Sequence, residues 1–358
     1  MLSYLLSSLF GITLQPASCL PGETWHNEVR KVEVHLEEHG KIGTIYCDLF
    51  QRRAEESGKM DHPAHFTVRC SRVLEDEDLL PKQGVSAMKN VSDFALLPDP
   101  LTGELRRYQL PIVVLVTGFK RPQSELNPSL LSFQELETVF HEMGHAVHSM
   151  LARTEFQHVS GTRVPMDFVE VASIFMEYFA KNPQVICRFA KHHGSGVPLS
   201  PTAFQSAVME PKILDIIDRQ NQLQLSILDQ RYHSTLETLD TTQVLADIQN
   251  RYHVISYTKN TSWQVQFSHL FTYGAGYYTY AWSKRWASRL HTHLLKDKSP
   301  NEWREAGDLI NRELLAPGGS RSPWIGLQRI GIVKQGESEG RYADPELEDL
   351  GILSTRKD

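Results

Sequence analysis

Residues 132–151 read SFQELETVFHEMGHAVHSML, and the run His141-Glu142-Met143-Gly144-His145 inside them decides what kind of fold must surround it. Ser132 with Glu135 three residues later is a capping-box signature for a helix start. Phe133, Leu136, Val139, Phe140, Met143, Val147 and Met150 then recur at helical spacing and define an apolar face. On such a helix His141 and His145 lie about 6 Å apart along the axis and nearly aligned around it. Both imidazoles can reach one metal ion, and Glu142 sits where it can take a proton from a water beside that ion. This H-E-x-x-H layout is that of a zinc-dependent peptidase.

Working outward, Leu110 to Phe119 (LPIVVLVTGF) is an apolar, β-branched run that predicts a buried strand, with Pro111 at its tolerant start. Lys120 to Pro128 carries two prolines and breaks the chain before the helix. Earlier, Val32, Val34 and Leu36 alternate with polar residues, His39-Gly40 supplies a turn, and Ile42 to Phe50 returns, predicting a hairpin. A further short strand is expected at His65 to Cys70. His62 and His65 flank a proline and are not expected to bind a second metal. After Ala180 the pattern is helical, over 204–233 (interrupted by Pro211), 241–252, 282–295 and 300–315. In the first of these, Leu214, Ile217, Leu223, Leu225, Leu228 and Tyr232 are the expected buried stripe. The expected class is α+β: mainly α with a small sheet, in a zincin-like lobe with the H-E-x-x-H helix beside the sheet.

A catalytic zinc keeps three protein ligands and an open position. The metzincin spacing would require Gly at 148 and His at 151, where this chain has His148 and Leu151. His148 lies roughly 10 Å from His141 along the axis, too far to share the ion, which leaves it a supporting or packing role. Asp167-Phe168-Val169-Glu170 opens a second periodic segment with Asp167 as a candidate N-cap. Glu170 projects from its first turn, either as a ligand or as part of a cap, and Glu177 follows on a similar face. Glu155 comes too soon after the first helix to fold back.

Hydrolysis also needs hydrogen-bond donors where negative charge develops. His269-Leu270-Phe271-Thr272-Tyr273-Gly274-Ala275-Gly276-Tyr277-Tyr278-Thr279-Tyr280 combines a histidine, a small-residue loop and four tyrosines. Tyr273, Tyr277 and Tyr280 fall at i, i+4 and i+7, so one helical face would carry three phenols, as donors or as ordinary packing residues.

The segment FHEMGHAVHSMLARTEFQHVSGTRVPMDFVEVASIFMEYFA (Phe140 to Ala180) resembles the thimet-oligopeptidase-type metallopeptidases, in wording nearest to their mitochondrial intermediate peptidase branch. The likeness covers roughly residues 5–325. It implies that Glu170 is the third ligand beside His141 and His145, with Glu142 as general base and one zinc ion per chain. It also implies that His269, Tyr277 and Tyr280 stabilise the transition state, with Gly274 and Gly276 as hinges. The implied substrates are oligopeptides or unfolded N-terminal segments of precursor proteins, and the implied location is the mitochondrial matrix, otherwise the cytoplasm. The opening LSSLFGITL resembles an internal part of that family. Met1 is therefore expected to be a start within a longer ancestral chain, lacking the family's helical N-terminal wall. A peptide- or partner-binding product with impaired turnover is the alternative.

At 358 residues, net charge −6 and a pI near 6.2, with no basic block, the chain is a poor partner for nucleic acid. Nothing in it reads as a membrane span, and a monomer is expected. Cys19, Cys47, Cys70 and Cys187 have no metal-binding spacing and read as free thiols. Residues 1–330 form the expected catalytic region. Residues 331–358 form an expected charged, loosely ordered tail.

Overall fold

The structure, a computed structural model, describes residues 1–52, 63–79, 94–122, 124, 128–209, 212–234 and 239–333. In chain order its strands are β1 (Ile12–Ala17), β2 (Arg30–Leu36), β3 (Gly40–Phe50), β4 (Ala64–Arg69), β5 (Phe94–Pro98), β6 (Leu105–Gln109) and β7 (Ile112–Phe119). Its helices are α1 (Leu2–Phe10), α2 (Phe133–Leu151), α3 (Val171–Ala180), α4 (Pro183–Phe189), α5 (Pro201–Met209), α6 (Lys212–His233), α7 (Thr241–Tyr252), α8 (His269–Thr272), α9 (Thr279–Leu295), α10 (Trp303–Ile310) and α11 (Pro323–Ile330). The fold is mainly α with a small mixed sheet, and the H-E-x-x-H helix α2 packs beside that sheet. His62 lies outside the described residues, as does the tail from 334 onward.

The sheet runs β1-β2-β3-β7-β4. Among the described residues β3/β7 is the parallel pair, and β1/β2, β2/β3 and β7/β4 are antiparallel. The hairpin expected around His39-Gly40 forms, with Glu38 and Gly40 at positive φ (69° and 72°), as a tight connection requires. Strand β7 is an interior strand, flanked by β3 and β4, and buried, which is why its sequence is apolar almost without alternation. Strand β4 ends the sheet and alternates: Phe66 and Val68 are exposed, while His65 and Thr67 turn toward α2. It starts one residue earlier than expected and stops before Cys70.

One large core joins α1, the sheet, α2, α3, α9, α10 and α11. Leu5, Leu6, Leu9 and Phe10 of α1 are fully buried in it. Trp286 and Trp303 are its largest enclosed side chains. All four cysteines are free, and no helix among the described residues is long and apolar enough to cross a membrane.

Three sequence expectations give way to packing. The 300–315 segment is not one helix: a short 3-10 turn (Pro300–Glu302) leads into α10, and Asn311–Leu315 winds as a π-helical turn. The stripe on α6 is also different: Leu228 is buried as expected, but Ile217 and Leu223 are exposed and the polar Gln224 and Asp229 are buried instead. That helix covers loop backbone, which calls for polar partners. Finally, Tyr273, Tyr277 and Tyr280 do not share a helical face, because α8 ends at Thr272 and α9 begins only at Thr279.

Candidate metal centre

The metal helix begins as its sequence dictates. Glu135 N–H donates to Ser132 Oγ at 3.2 Å, and Ser132 N–H donates to Glu135 Oε2 at 2.7 Å. Eight residues beyond Phe133, α2 presents His141 and His145 on one side and buries Gly144 against α3. A Cβ at Gly144 would sit 2.6 Å from both Ala172 O and Ser173 Cα, so the two helices touch backbone to backbone there. This close approach brings Glu170, the residue immediately before α3, to the histidine pair.

His141 Nε2 and His145 Nε2 lie 3.3 Å and 3.2 Å from the same oxygen, Glu170 Oε2. Tetrahedral zinc with bonds of about 2.0–2.1 Å requires ligand atoms roughly 3.3–3.4 Å apart, so these separations fit that ion. One ligand atom from each of the three residues falls within 4.8 Å of the others, and among the described residues this is the one such group. Glu170 makes no side-chain cap bond to α3, and its Oε2 instead accepts from Ser173 Oγ at 2.8 Å. Asp167 does not cap α3 either. It belongs to a 3-10 turn (Met166–Phe168), and its carboxylate accepts from the Tyr278 hydroxyl at 3.2 Å.

Electrostatics favour positive charge at this point. Burial opposes a cation on His141, but hydrogen bonds and charge from Glu170 and Glu177 outweigh it and raise its pKa to about 10. Burial would raise the Glu170 carboxyl, yet His141 and His145 hold it well below the usual carboxylate range. Two nitrogens and a carboxylate oxygen converging in a cation-favouring pocket fit a divalent metal. Glu142 is buried beside them, and burial pushes its pKa upward against the pull of His145 and His141.

Two contributors had weak sequence signals. Glu177 lies one side chain behind the site, its Oε1 2.7 Å from His141 Nδ1. Its seven-residue spacing from Glu170 marked a shared face without indicating its partner. His65 stands in strand β4 with its ring 5.6 Å from that of His145 and its Nε2 3.3 Å from Ser149 Oγ. Burial first, then His145 and His148, push its pKa down to about 3, so it is a neutral neighbour. Only the inward alternation of His65, Thr67 and Arg69 along an edge strand could have signalled this. His148 is a packing residue, fully enclosed in an apolar cavity with Gly144, Val147, Phe168 and Phe175, and burial lowers its pKa to about 3. Glu155 is exposed and outside the centre.

The tyrosine segment meets the centre through the start of α9. Thr279 Oγ1 donates to Met166 O at 2.8 Å and Ser283 Oγ to Asp167 O at 3.3 Å, which fixes α9 against the turn that precedes Glu170. The Tyr277 and Tyr280 rings are 5.3 Å apart, and His269 packs edge-on to both at 5.7 Å and 6.4 Å. Tyr280 is close enough to Glu170 to feel its charge. Burial, then Tyr273 and Glu170, raise its pKa and keep its phenol protonated at neutral pH. Burial likewise raises the Tyr277 phenol, opposed by a hydrogen bond from Gln222.

Known proteins share much of this sequence. Mitochondrial intermediate peptidase 2 of Cryptococcus neoformans is 38% identical over 347 residues, covering 90% of this chain and 40% of the relative. Mitochondrial intermediate peptidase 1 of the same species is 40% identical, covering 98% and 48%. The mitochondrial intermediate peptidase of Malassezia globosa is 42% identical, covering 92% and 42%. The chain thus spans less than half the length of these curated relatives. Residues 1–340 match the model of Peptidase family M3, and the chain belongs to that family.

Proposed function

We propose that this chain carries the catalytic centre of a zinc metalloendopeptidase acting on oligopeptides or extended N-terminal segments of precursor proteins in the mitochondrial matrix. The observation that carries this reading is the convergence of His141 Nε2 and His145 Nε2 on Glu170 Oε2 at 3.3 Å and 3.2 Å, with Glu142 buried alongside. Similarity to the relatives named mitochondrial intermediate peptidase supports the substrate class and the compartment.

His141, His145 and Glu170 would hold the ion. When bound, zinc lowers the pKa of a water to about 7 and polarises the scissile carbonyl. Glu142, with its pKa raised by burial, accepts a proton from the attacking water and passes it to the departing amine. The protonated Tyr280 and Tyr277, supported by His269, donate hydrogen bonds to the carbonyl oxygen as it gains charge. An extended substrate would add along β4, the terminal strand, whose inner face turns toward α2.

The deciding experiment measures metal content by mass spectrometry and cleavage of a quenched oligopeptide, with and without chelator. One zinc per chain and chelator-sensitive cleavage are expected. Glu142→Gln should keep the metal and lose cleavage by at least about 10³-fold. Retained turnover in that variant sinks the assignment. Because the chain spans 40–48% of the first two relatives described, a second reading is peptide binding without turnover. One equivalent of metal with no chelator-sensitive cleavage would favour it.

A further inference from the structure

The buried polar face of α6 lies against the loop that carries the tyrosines. Asp229 is fully buried and lies outside the metal centre, and among the described residues its charged neighbour is His233 rather than a Lys or Arg. Its Oδ1 accepts the Ala275 N–H at 3.0 Å and its Oδ2 accepts the Tyr277 N–H at 2.9 Å. One residue on, Gln230 Nε2 donates to Ala275 O at 2.8 Å. One turn on, His233 Nδ1 lies 3.0 Å from Asp229 Oδ1. Its ring fills the space beside Gly274, where a Cβ would come within 2.9 Å of Nε2. At the other end of the contact, Gln222 hydrogen-bonds the Tyr277 phenol.

This grip has a definite conformational effect. Ala275 is held at φ 59°, the left-handed region that a residue with a Cβ avoids. With its carbonyl taken by Gln230 and its amide by Asp229, that conformation is over-determined from outside the loop. The turn over 273–278 then delivers Tyr277 and Tyr280 to adjacent positions, rings 5.3 Å apart, just before α9 docks on the Met166–Phe168 turn. A carboxylate accepting two amides two residues apart acts as a template for the loop backbone. Its two oxygens set the spacing and direction of both N–H vectors.

We propose that Asp229, assisted by Gln230, is a positioning residue for peptide hydrolysis: it fixes the backbone at Ala275 and Tyr277 so that the Tyr277 and Tyr280 phenols meet the reacting carbonyl over the His141–His145–Glu170 centre. This rests on the reading of those phenols as transition-state donors, and the test separates the two. Asp229→Asn retains shape and one acceptor but turns an amide group toward an N–H.

In the zinc-loaded protein, Asp229→Asn is expected to lower kcat on the order of 10²-fold, with KM within about 3-fold and zinc content unchanged. A peptide phosphinate, which mimics the tetrahedral state, should bind more weakly by a similar factor, while acetohydroxamate, which reads the metal alone, should bind as before. Tyr280→Phe, assayed in parallel, should lose kcat, and adding Asp229→Asn to it should cost far less than in the wild-type background. If Asp229→Asn keeps wild-type kcat, or loses zinc, acetohydroxamate binding and kcat together, the positioning role is overturned. If Tyr280→Phe and Tyr277→Phe both keep full kcat, the donor reading itself fails, and the proposal with it. Should Asp229→Asn not fold, exposed Gln230→Ala replaces it, with an expected kcat loss of about 10-fold at unchanged KM. Wild-type kcat in that variant overturns the proposal.

Discussion

Glu177 Oε1 sits 2.7 Å from His141 Nδ1, so the ring that offers Nε2 toward Glu170 is gripped from behind by a second carboxylate of the same helix–helix pair. Such a partner fixes the tautomer and strengthens the ring as a ligand. Glu177→Ala should therefore weaken metal affinity about 10–100-fold while leaving the fold intact, since this carboxylate is partly exposed. Competition against a fluorescent chelator measures it; unchanged affinity would remove Glu177 from the centre.

Gly144→Ala sets two effects against each other. Alanine improves helix propensity by about 1 kcal/mol. Its Cβ, however, would meet backbone atoms of Ala172 and Ser173 at 2.6 Å, and backbone cannot rotate aside. The helices must part on the order of 1 Å, so overpacking of about 1–3 kcal/mol prevails and Glu170 moves off the histidines. Urea unfolding should show a net loss of stability, and metal titration a weaker site. A variant as stable as the parent would contradict the close approach of the two helices.

Ser132→Ala removes one half of the capping box at an exposed position. A cost of about 1 kcal/mol in denaturant unfolding is expected, with metal affinity unaffected. Loss of metal together with the cap would mean that the start of α2 is coupled to the centre more tightly than the helix geometry implies.

Outside the centre, Glu23 contributes to the pH dependence of stability. Glu23 accepts from Lys31, from the Tyr46 hydroxyl at 2.6 Å and from the Leu20 amide, and these bonds lower its pKa from 4.5 to about 2. A depressed carboxyl contributes stability above its unfolded value and loses it as pH falls toward the folded one. Glu23→Gln should thus cost about 1 kcal/mol near pH 7, a figure discounted for solvent screening of a partly exposed group. The difference should fade between pH 4.5 and about 2. Unfolding curves at pH 7, 4 and 2.5 are the check, and a gap that persists at the lowest pH would refute the assignment.

Local signals carried most of the fold. The capping box at Ser132 and Glu135, the apolar run in β7 and the turn at His39-Gly40 each act within a few residues, and each appears where the sequence implies. The histidine pair was legible for the same reason, because four-residue spacing on a helix is a local fact. What spacing left open at Glu170 was partner choice across helices, which depends on how closely Gly144 lets α3 approach. The tyrosine face failed because periodicity cannot register a chain held in the left-handed region at Ala275. The polar face of α6 was misread for a related reason: what it covers is backbone 40 to 50 residues downstream, with Asp229 bonded to Ala275 and Tyr277.

Leu9 and Gly307 belong to the first and tenth helices, yet a Cβ on Gly307 would overlap the Leu9 carbonyl, and Arg304 also reaches Ser7 O and Glu37. This clasp joins residues almost 300 positions apart, so it cannot form during synthesis until the chain through α10 has left the ribosome. Until then β1 lies beside α1, but the part of its apolar side that α10 covers stays open, and the nascent chain must be shielded from aggregation there. Contacts of such high sequence separation are slow to form, so the pairing of α1 with α10 belongs to the late steps in building this core.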